Sequence, residues 1–165
     1  MCIRDSQNVG DEKVFISMFI QRQKDMYHQK WRAEVNETSS GRLYKHIKED
    51  FHFENYLNLN VKGWRVALTK VRLSSHLFLI ERGRWGSAKM LKEDRICSVC
   101  QVIEDEYHCI VECPRFLNIR EDCLVPKDRQ DFLNYVQCAT KIHDTRKFGR
   151  LCLKIMCEYR RELLG

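Results

Sequence analysis

The sequence predicts an all-α protein, a helical bundle with one short cysteine-rich turn set into it. Three observations carry this. Apolar residues recur at steps of three and four over most of the chain. Only 2 Pro and 7 Gly occur in 165 residues, few for the many turns of a β-sandwich or barrel. Four of the 9 Cys crowd between Cys97 and Cys113. With 44% hydrophobic and 32% charged residues the composition is globular, and a chain of this length hides roughly two-thirds of its unfolded surface.

The elements follow in order. Met1-Cys2-Ile3-Arg4-Asp5-Ser6 reads as the translation of a transposase-type sequencing adapter, so residues 1–6 are expected to be an artefact ahead of a chain that continues upstream of Gln7. Residues 11–36 form one long helix with Asp11 as N-cap, placing Phe15, Met18, Phe19, Arg22, Met26 and Trp31 near one face. Thr38-Ser39-Ser40-Gly41 breaks it. A helix over 42–53 aligns Leu43, Ile47 and Phe51. Residues 55–60 connect it to a helix from Val61 to Leu73, with Trp64, Leu68 and Val71 inward and Lys62, Arg65, Lys70 and Arg72 largely outward. Ser74-Ser75 caps a short helix from His76 to Glu81, closed by Gly83 and Gly86. Pro114 opens a helix running to about Cys123, and Pro126 separates it from one over 128–139. The last helix, 144–163, carries a core stripe of Phe148, Leu151, Cys152, Ile155, Met156 and Tyr159. The chain divides into a helical segment 7–60, a central module 61–125 and C-terminal helices 126–165 packing on it, one domain overall.

Charge is uneven. Residues 42–95 hold twelve basic and six acidic side chains, residues 96–131 four and eight, residues 132–165 seven and three. Basic segments thus flank an acidic centre, a pattern that fits polyanion contact, although on charge alone solvated helix faces account for it better. Glu104-Asp105-Glu106 would repel phosphate locally. No apolar run approaches the roughly 18–20 residues that cross a bilayer. Val14 to Ile20 lacks the basic start and small-residue cleavage site of a signal peptide. The expected setting is intracellular, cytoplasmic or nuclear, with no membrane partner.

The sharpest motif is Cys97-Ser98-Val99-Cys100, then His108, then Cys113: C-x2-C-x7-H-x4-C. Two Cys two residues apart wrap a cation from a tight turn, and His and the last Cys complete a tetrahedron. Three thiolates and one imidazole form a closed structural set for one Zn2+, a zinc-knuckle-like CCHC turn. With every position filled by protein, no water binds the ion, so Lewis-acid catalysis is not expected. The C-x2-C pair alone also suits a redox motif, but no βαβ context surrounds it. Cys109 is an alternative to His108 as ligand, or points into the core beside Ile110. Cys123, Cys138, Cys152 and Cys157 read as buried helix thiols.

Residues 64 to 120 resemble the zinc-binding tail of reverse transcriptases from non-LTR, LINE-type retrotransposons. The resemblance rests on Leu68-Thr69-Lys70-Val71-Arg72-Leu73-Ser74-Ser75-His76 and Ile80-Glu81-Arg82-Gly83-Arg84-Trp85. It continues through the C-x2-C pair, Glu104-Asp105-Glu106-Tyr107-His108 and Cys113-Pro114-Arg115. It covers about a third of the chain tightly. Cys109 departs from it, where the family more often has a bulky apolar residue. The resemblance implies Cys97, Cys100, His108 and Cys113 as zinc ligands and a tail that follows the polymerase and holds template RNA or target DNA. No aromatic-x-Asp-Asp sequence is present to hold the two magnesium ions of nucleotidyl transfer, so no enzyme activity is expected of this fragment.

Three readings follow. In the first, Lys62, Arg65, Lys70, Arg72, His76, Arg82 and Arg84 meet phosphates and Trp85 stacks on a base, with RNA or DNA, and the upstream reverse transcriptase, as partners. In the second, the chain is a zinc-stabilised helical adaptor for another protein. In the third, it is a degenerate retroelement fragment without function.

Overall fold

The structure, a computed structural model, describes residues 4–38, 41–85, 89–121, 123–138 and 140–165, with side chains described from residue 11 onward. The chain separates into two compact units, residues 1–38 and 39–165. The break falls inside the expected 7–60 segment rather than at its end. Gly86, assigned above to close a helix, and residues 1–3 of the adapter-like stretch lie outside the described residues, as do Ser39 and Ser40.

The first unit is a single helix, α1 (Arg4–Glu37). It begins before Asp11, so Asp11 is a helical residue and not its cap. Its apolar side chains Val14, Phe15, Ile16, Met18, Phe19 and Ile20 are exposed.

The second unit is all-α: α2 (Arg42–Ile47), a 3-10 turn (Asn55–Asn58), α3 (Lys62–Arg72), α4 (Leu79–Arg82), a π-turn (His108–Glu112), a 3-10 turn (Pro114–Phe116), α5 (Leu117–Glu121), α6 (Arg129–Gln137) and α7 (Ile142–Leu164). Among the described residues no strand forms; one antiparallel bridge joins Ile96 to Ile103. The backbone of the unit is the pairing of α3 with α7. Gly149 makes it close: a Cβ there would sit 3.1 Å from Trp64 Cβ and 3.2 Å from Leu68 Cδ1. One turn along α7, Leu153 Cδ2 lies 3.0 Å from the position of a Cβ on Gly63, so the two helices run antiparallel. Ala67, Leu68 and Val71 of α3 are buried with Phe148, Leu151, Cys152, Ile155 and Tyr159 of α7. Burial of each large apolar side chain contributes about 1.5–3 kcal/mol. α6 adds Phe132, which meets Phe148 edge-on at 6.1 Å between ring centroids. Asp128 caps α6 by accepting from Asp131 N.

Departures from the expected elements have local causes. α2 stops at Ile47, and Phe51 is exposed, because Lys48 turns into extended backbone and becomes buried. Its ammonium pairs with Glu54 at 2.6 Å and donates to His52 O. An ion pair thus replaces the second half of the expected helix. α4 starts at Leu79 rather than His76, with no side-chain cap, because Ser74 is engaged elsewhere. Its φ of 49° is left-handed, and its hydroxyl accepts from Leu43 N. Cys152 is buried as expected, whereas Cys157 is exposed.

Candidate metal centre

The Ile96–Ile103 bridge closes a tight turn. Cys97 N donates to Val102 O at 2.7 Å, and Gln101 N to Cys97 O at 2.9 Å. Gln101 takes the left-handed conformation that the turn requires, with φ 57°. This turn presents Cys97 and Cys100 together. Asp105 then starts the second half, its carboxylate accepting from His108 N at 2.8 Å. From His108 the backbone widens into a π-turn, and Cys113 N donates to His108 O at 2.8 Å. The widening matters because His108 and Cys113 are five residues apart. On an α-helix that step would leave them about 140° apart, whereas five residues suit an i→i+5 turn.

The four side chains converge. Cys113 Sγ lies 3.8 Å from Cys97 Sγ and 3.9 Å from Cys100 Sγ. One ligand atom from each of Cys97, Cys100, His108 and Cys113 falls within 4.8 Å of all the others. Tetrahedral thiolates about 2.3 Å from an ion stand about 3.8 Å apart, so the sulfurs already have coordination spacing. Both ring nitrogens of His108 are buried with no hydrogen-bond partner. Glu112 approaches Nδ1 only to 3.6 Å. A buried polar nitrogen left unpaired costs about 1–3 kcal/mol, and a coordinated ion removes that cost. Burial raises the Cys97 thiol, but N–H groups of Cys100 and Val99, with His108 and Cys113, outweigh it and bring the group down to about 7. Burial pushes Cys113 up to about 12. The cluster can hold a metal ion, and no open position remains on a four-coordinate one. Cys109 is not in it. That thiol is fully buried in the apolar core, and burial drives it well above the ordinary thiol range.

The acidic run beside the cluster is an internal frame. Glu104 and Glu106 are both buried. Glu104 accepts from Leu79 N at 2.9 Å, from Arg115 at 3.1 Å and from the Tyr159 hydroxyl. Arg115 also reaches Glu162 and lies 3.9 Å from Cys97 Sγ. Glu106 accepts from Ser74 at 3.1 Å, His76 at 3.0 Å and Arg42. The expected repulsion of phosphate by Glu104 and Glu106 is therefore corrected: their charges are enclosed and paired.

Two of the expected phosphate-binding residues are also corrected. Arg72 is only 1% exposed. It pairs with Glu54 at 2.8 Å, donates to Val136 O and lies over the Tyr56 ring at 5.0 Å. The signal was its step of four from Leu68, which puts it on the inward face. His76 is 8% exposed and bound to Glu106. Lys62, Lys70, Arg82 and Trp85 are exposed. Arg65 is half-buried, donating to Leu59 O. Arg84 is half-buried, pairs with Glu81 at 2.8 Å and lies over the Trp85 ring at 5.4 Å. The structure thus keeps Arg82, Arg84 and Trp85 together and separates them from Arg72 and His76.

The residue that sequence reasoning missed is Arg95. Its guanidinium donates to Ile80 O at 2.9 Å and Met90 O at 2.8 Å. It fastens the Arg82–Trp85 loop to the strand-like entry of the cysteine turn. No protein-family model, curated protein or solved structure matches the chain. No described helix is long and apolar enough to cross a membrane.

Proposed function

We propose that this chain is a non-catalytic, zinc-stabilised nucleic-acid-binding tail of the kind that follows the polymerase in LINE-type reverse transcriptases. The observation that carries it is the convergence of Cys97, Cys100, His108 and Cys113. Three thiolates and an imidazole favour zinc over harder divalent ions, and the closed set makes the ion structural. The ion would hold residues 97–113 as a rigid block. Arg95, two residues before Cys97, ties that block to the loop bearing Arg82, Arg84 and Trp85. Trp85 is 62% exposed. It offers a stacking surface beside the Arg84 guanidinium, with exposed Arg82 three residues before it, which suits an unpaired base with its phosphates. Lys62 and Lys70 add cations on α3.

The test is a titration of fluorescent single-stranded RNA and DNA at several salt concentrations. Lys70→Glu with Arg82→Glu should weaken all sequences together and flatten the salt dependence by about 0.7 in slope for each lost phosphate contact. Trp85→Ala should cost single strands about 1–3 kcal/mol and leave duplexes nearly unchanged. If neither variant alters affinity, a protein-binding adaptor is the better reading. Exposed Leu91, Val99 and Val102 near the cysteine turn favour that second reading.

A further inference from the structure

α7 carries a second charged surface, inside the basic segment 132–165, to which the sequence assigned no site residues. Arg146, Lys147, Arg150, Lys154 and Arg161 follow one another at steps of one, three, four and seven, which returns them to one sector of a helix. The opposite sector, with Phe148, Leu151, Cys152, Ile155 and Tyr159, is buried in the core. The row therefore sits on a helix whose orientation is fixed by its packing. It spans about 22 Å from Arg146 to Arg161.

No carboxylate among the described residues pairs with Arg146, Lys147, Arg150 or Lys154. The three acids of α7 lie to one side of the row, each already engaged. Asp144 faces His143 at 3.4 Å, Glu158 holds Arg161, and Glu162 holds Arg115. The contact of Gly63 with Leu153 brings the first turn of α3, with exposed Lys62, beside the same surface.

We propose that this face of α7 binds the sugar-phosphate backbone of a nucleic-acid duplex. The proposal rests on the nucleic-acid reading above but uses different residues. The absence of certain side chains within the row decides the class of ligand. It contains no aromatic residue, so it has no platform for unstacked bases. It contains no large apolar residue, so it lacks the face that an interfacial helix buries in lipid. What remains is a straight, pre-positioned line of cations, and a stiff row of phosphates is the polyanion that matches it. A duplex carries one charge per about 1.7 Å of its axis over both strands, a density that gives a row of this length several phosphates within reach.

The experiment uses the full chain and three probes: a 20-base-pair DNA duplex, an RNA duplex of the same sequence, and a single-stranded poly-uridine of equal length. Anisotropy titrations are run over a range of salt for the native chain, for Lys147→Glu/Arg150→Glu/Lys154→Glu, and for the same three positions changed to Gln. Far-ultraviolet dichroism checks that both variants keep native helicity, and the Gln variant serves if reversal perturbs folding. The expected result is a loss of duplex affinity of tenfold or more. The slope of log affinity against log salt should flatten by about 2–3, at 0.9 per phosphate. Poly-uridine binding should move less than twofold. A larger loss with one duplex than the other identifies which helix form fits. Unchanged duplex slopes overturn the proposal, even where Arg82 and Trp85 variants weaken single strands and so uphold the loop reading. Duplex binding that depends on α7 but not on Arg82 or Trp85 upholds it while that reading fails. Loss of binding to phosphatidylserine vesicles in the triple variant, with duplex affinity intact, also overturns it.

Discussion

His76 Nε2 lies 3.0 Å from Glu106 Oε1, and neither side chain is open to solvent. His76 belongs to the turn after α3, and Glu106 opens the helical turn that carries His108. Their contact joins the scaffold to the second half of the candidate metal centre. The same oxygen accepts from Ser74, and the other meets Arg42. Burial raises the Glu106 carboxyl, but the bond and charge of His76 and the charge of Arg42 overcome this and hold it at about 2. The carboxylate is therefore the buried hub of a polar network in which only Arg42 reaches solvent.

Such a hub should be expensive to disturb. Glu106→Gln keeps the shape and removes the charge that Arg42 and His76 face. Breaking one partner of a buried pair costs about 3–5 kcal/mol, and partial exposure of Arg42 puts the expected loss at the lower end. Urea unfolding should show it as a lower midpoint. A cycle with His76→Ala should give a coupling energy of about 1–3 kcal/mol. Additive effects would mean that the two groups do not interact.

Arg72 separates a structural cation from a ligand-binding one. Arg72→Met should lower stability by about 3–5 kcal/mol, because Glu54 and Val136 O lose a buried partner. In any fraction that stays folded, the nucleic-acid affinity proposed above should be unchanged by the substitution. A variant of native stability with weakened nucleic-acid affinity would restore Arg72 to the binding surface.

The helical class, the positions of α3, α6 and α7 and the grouping of Cys97, Cys100, His108 and Cys113 were all legible in the sequence. Each is written in local spacing: Leu68 to Val71, Phe148 to Tyr159, Cys97 to Cys100. What escaped was long-range polar pairing. Nothing local shows that Lys48 will leave a helix to meet Glu54, or that Ser74 and His76 will find Glu106 some 30 residues away. The basic residues around 61–85 look alike in type, and only the step of four from Leu68 sets buried Arg72 apart from exposed Lys70, while its partners Glu54 and Val136 O are tertiary. The π-turn was invisible for a related reason. Its i→i+5 step matches the spacing of His108 and Cys113, a relationship that helix propensity does not encode.

The metal centre should dominate stability around residues 95–120. Purified protein should contain about one zinc per chain. Cys100→Ser should lose it and unfold that region, since structural zinc contributes on the order of 10 kcal/mol in small modules. Cys152→Ser, in the α7 core, should cost only about 1–3 kcal/mol and keep the metal. Thiols must lose protons to bind the ion, so metal affinity should fall as pH is lowered. Elemental analysis after dialysis at stepped pH reads both effects. Equal metal content in Cys100→Ser and the native chain would remove Cys100 from the ligand set.

Gly149 tests the α3–α7 crossing on which both the core and the charged face of α7 depend. Taken alone, Gly149→Ala should stabilise a mid-helix position by about 1 kcal/mol. Here the added methyl meets Trp64 Cβ at 3.1 Å and Leu68 Cδ1 at 3.2 Å. A Cβ cannot swing aside as a side-chain tip can, so the helices must part by a few tenths of an ångström. Overpacking of this kind costs about 1–3 kcal/mol, which outweighs the propensity gain. The expected outcome is a net loss of about 1 kcal/mol in urea unfolding. Trp64→Ala leaves the Cβ in place, so it should not rescue the variant, whereas Leu68→Ala would remove one of the two clashes. In the Leu68→Ala background, Gly149→Ala should therefore be less destabilising than in the native chain. A stabilised Gly149→Ala would show that the helices cross further apart than this packing requires.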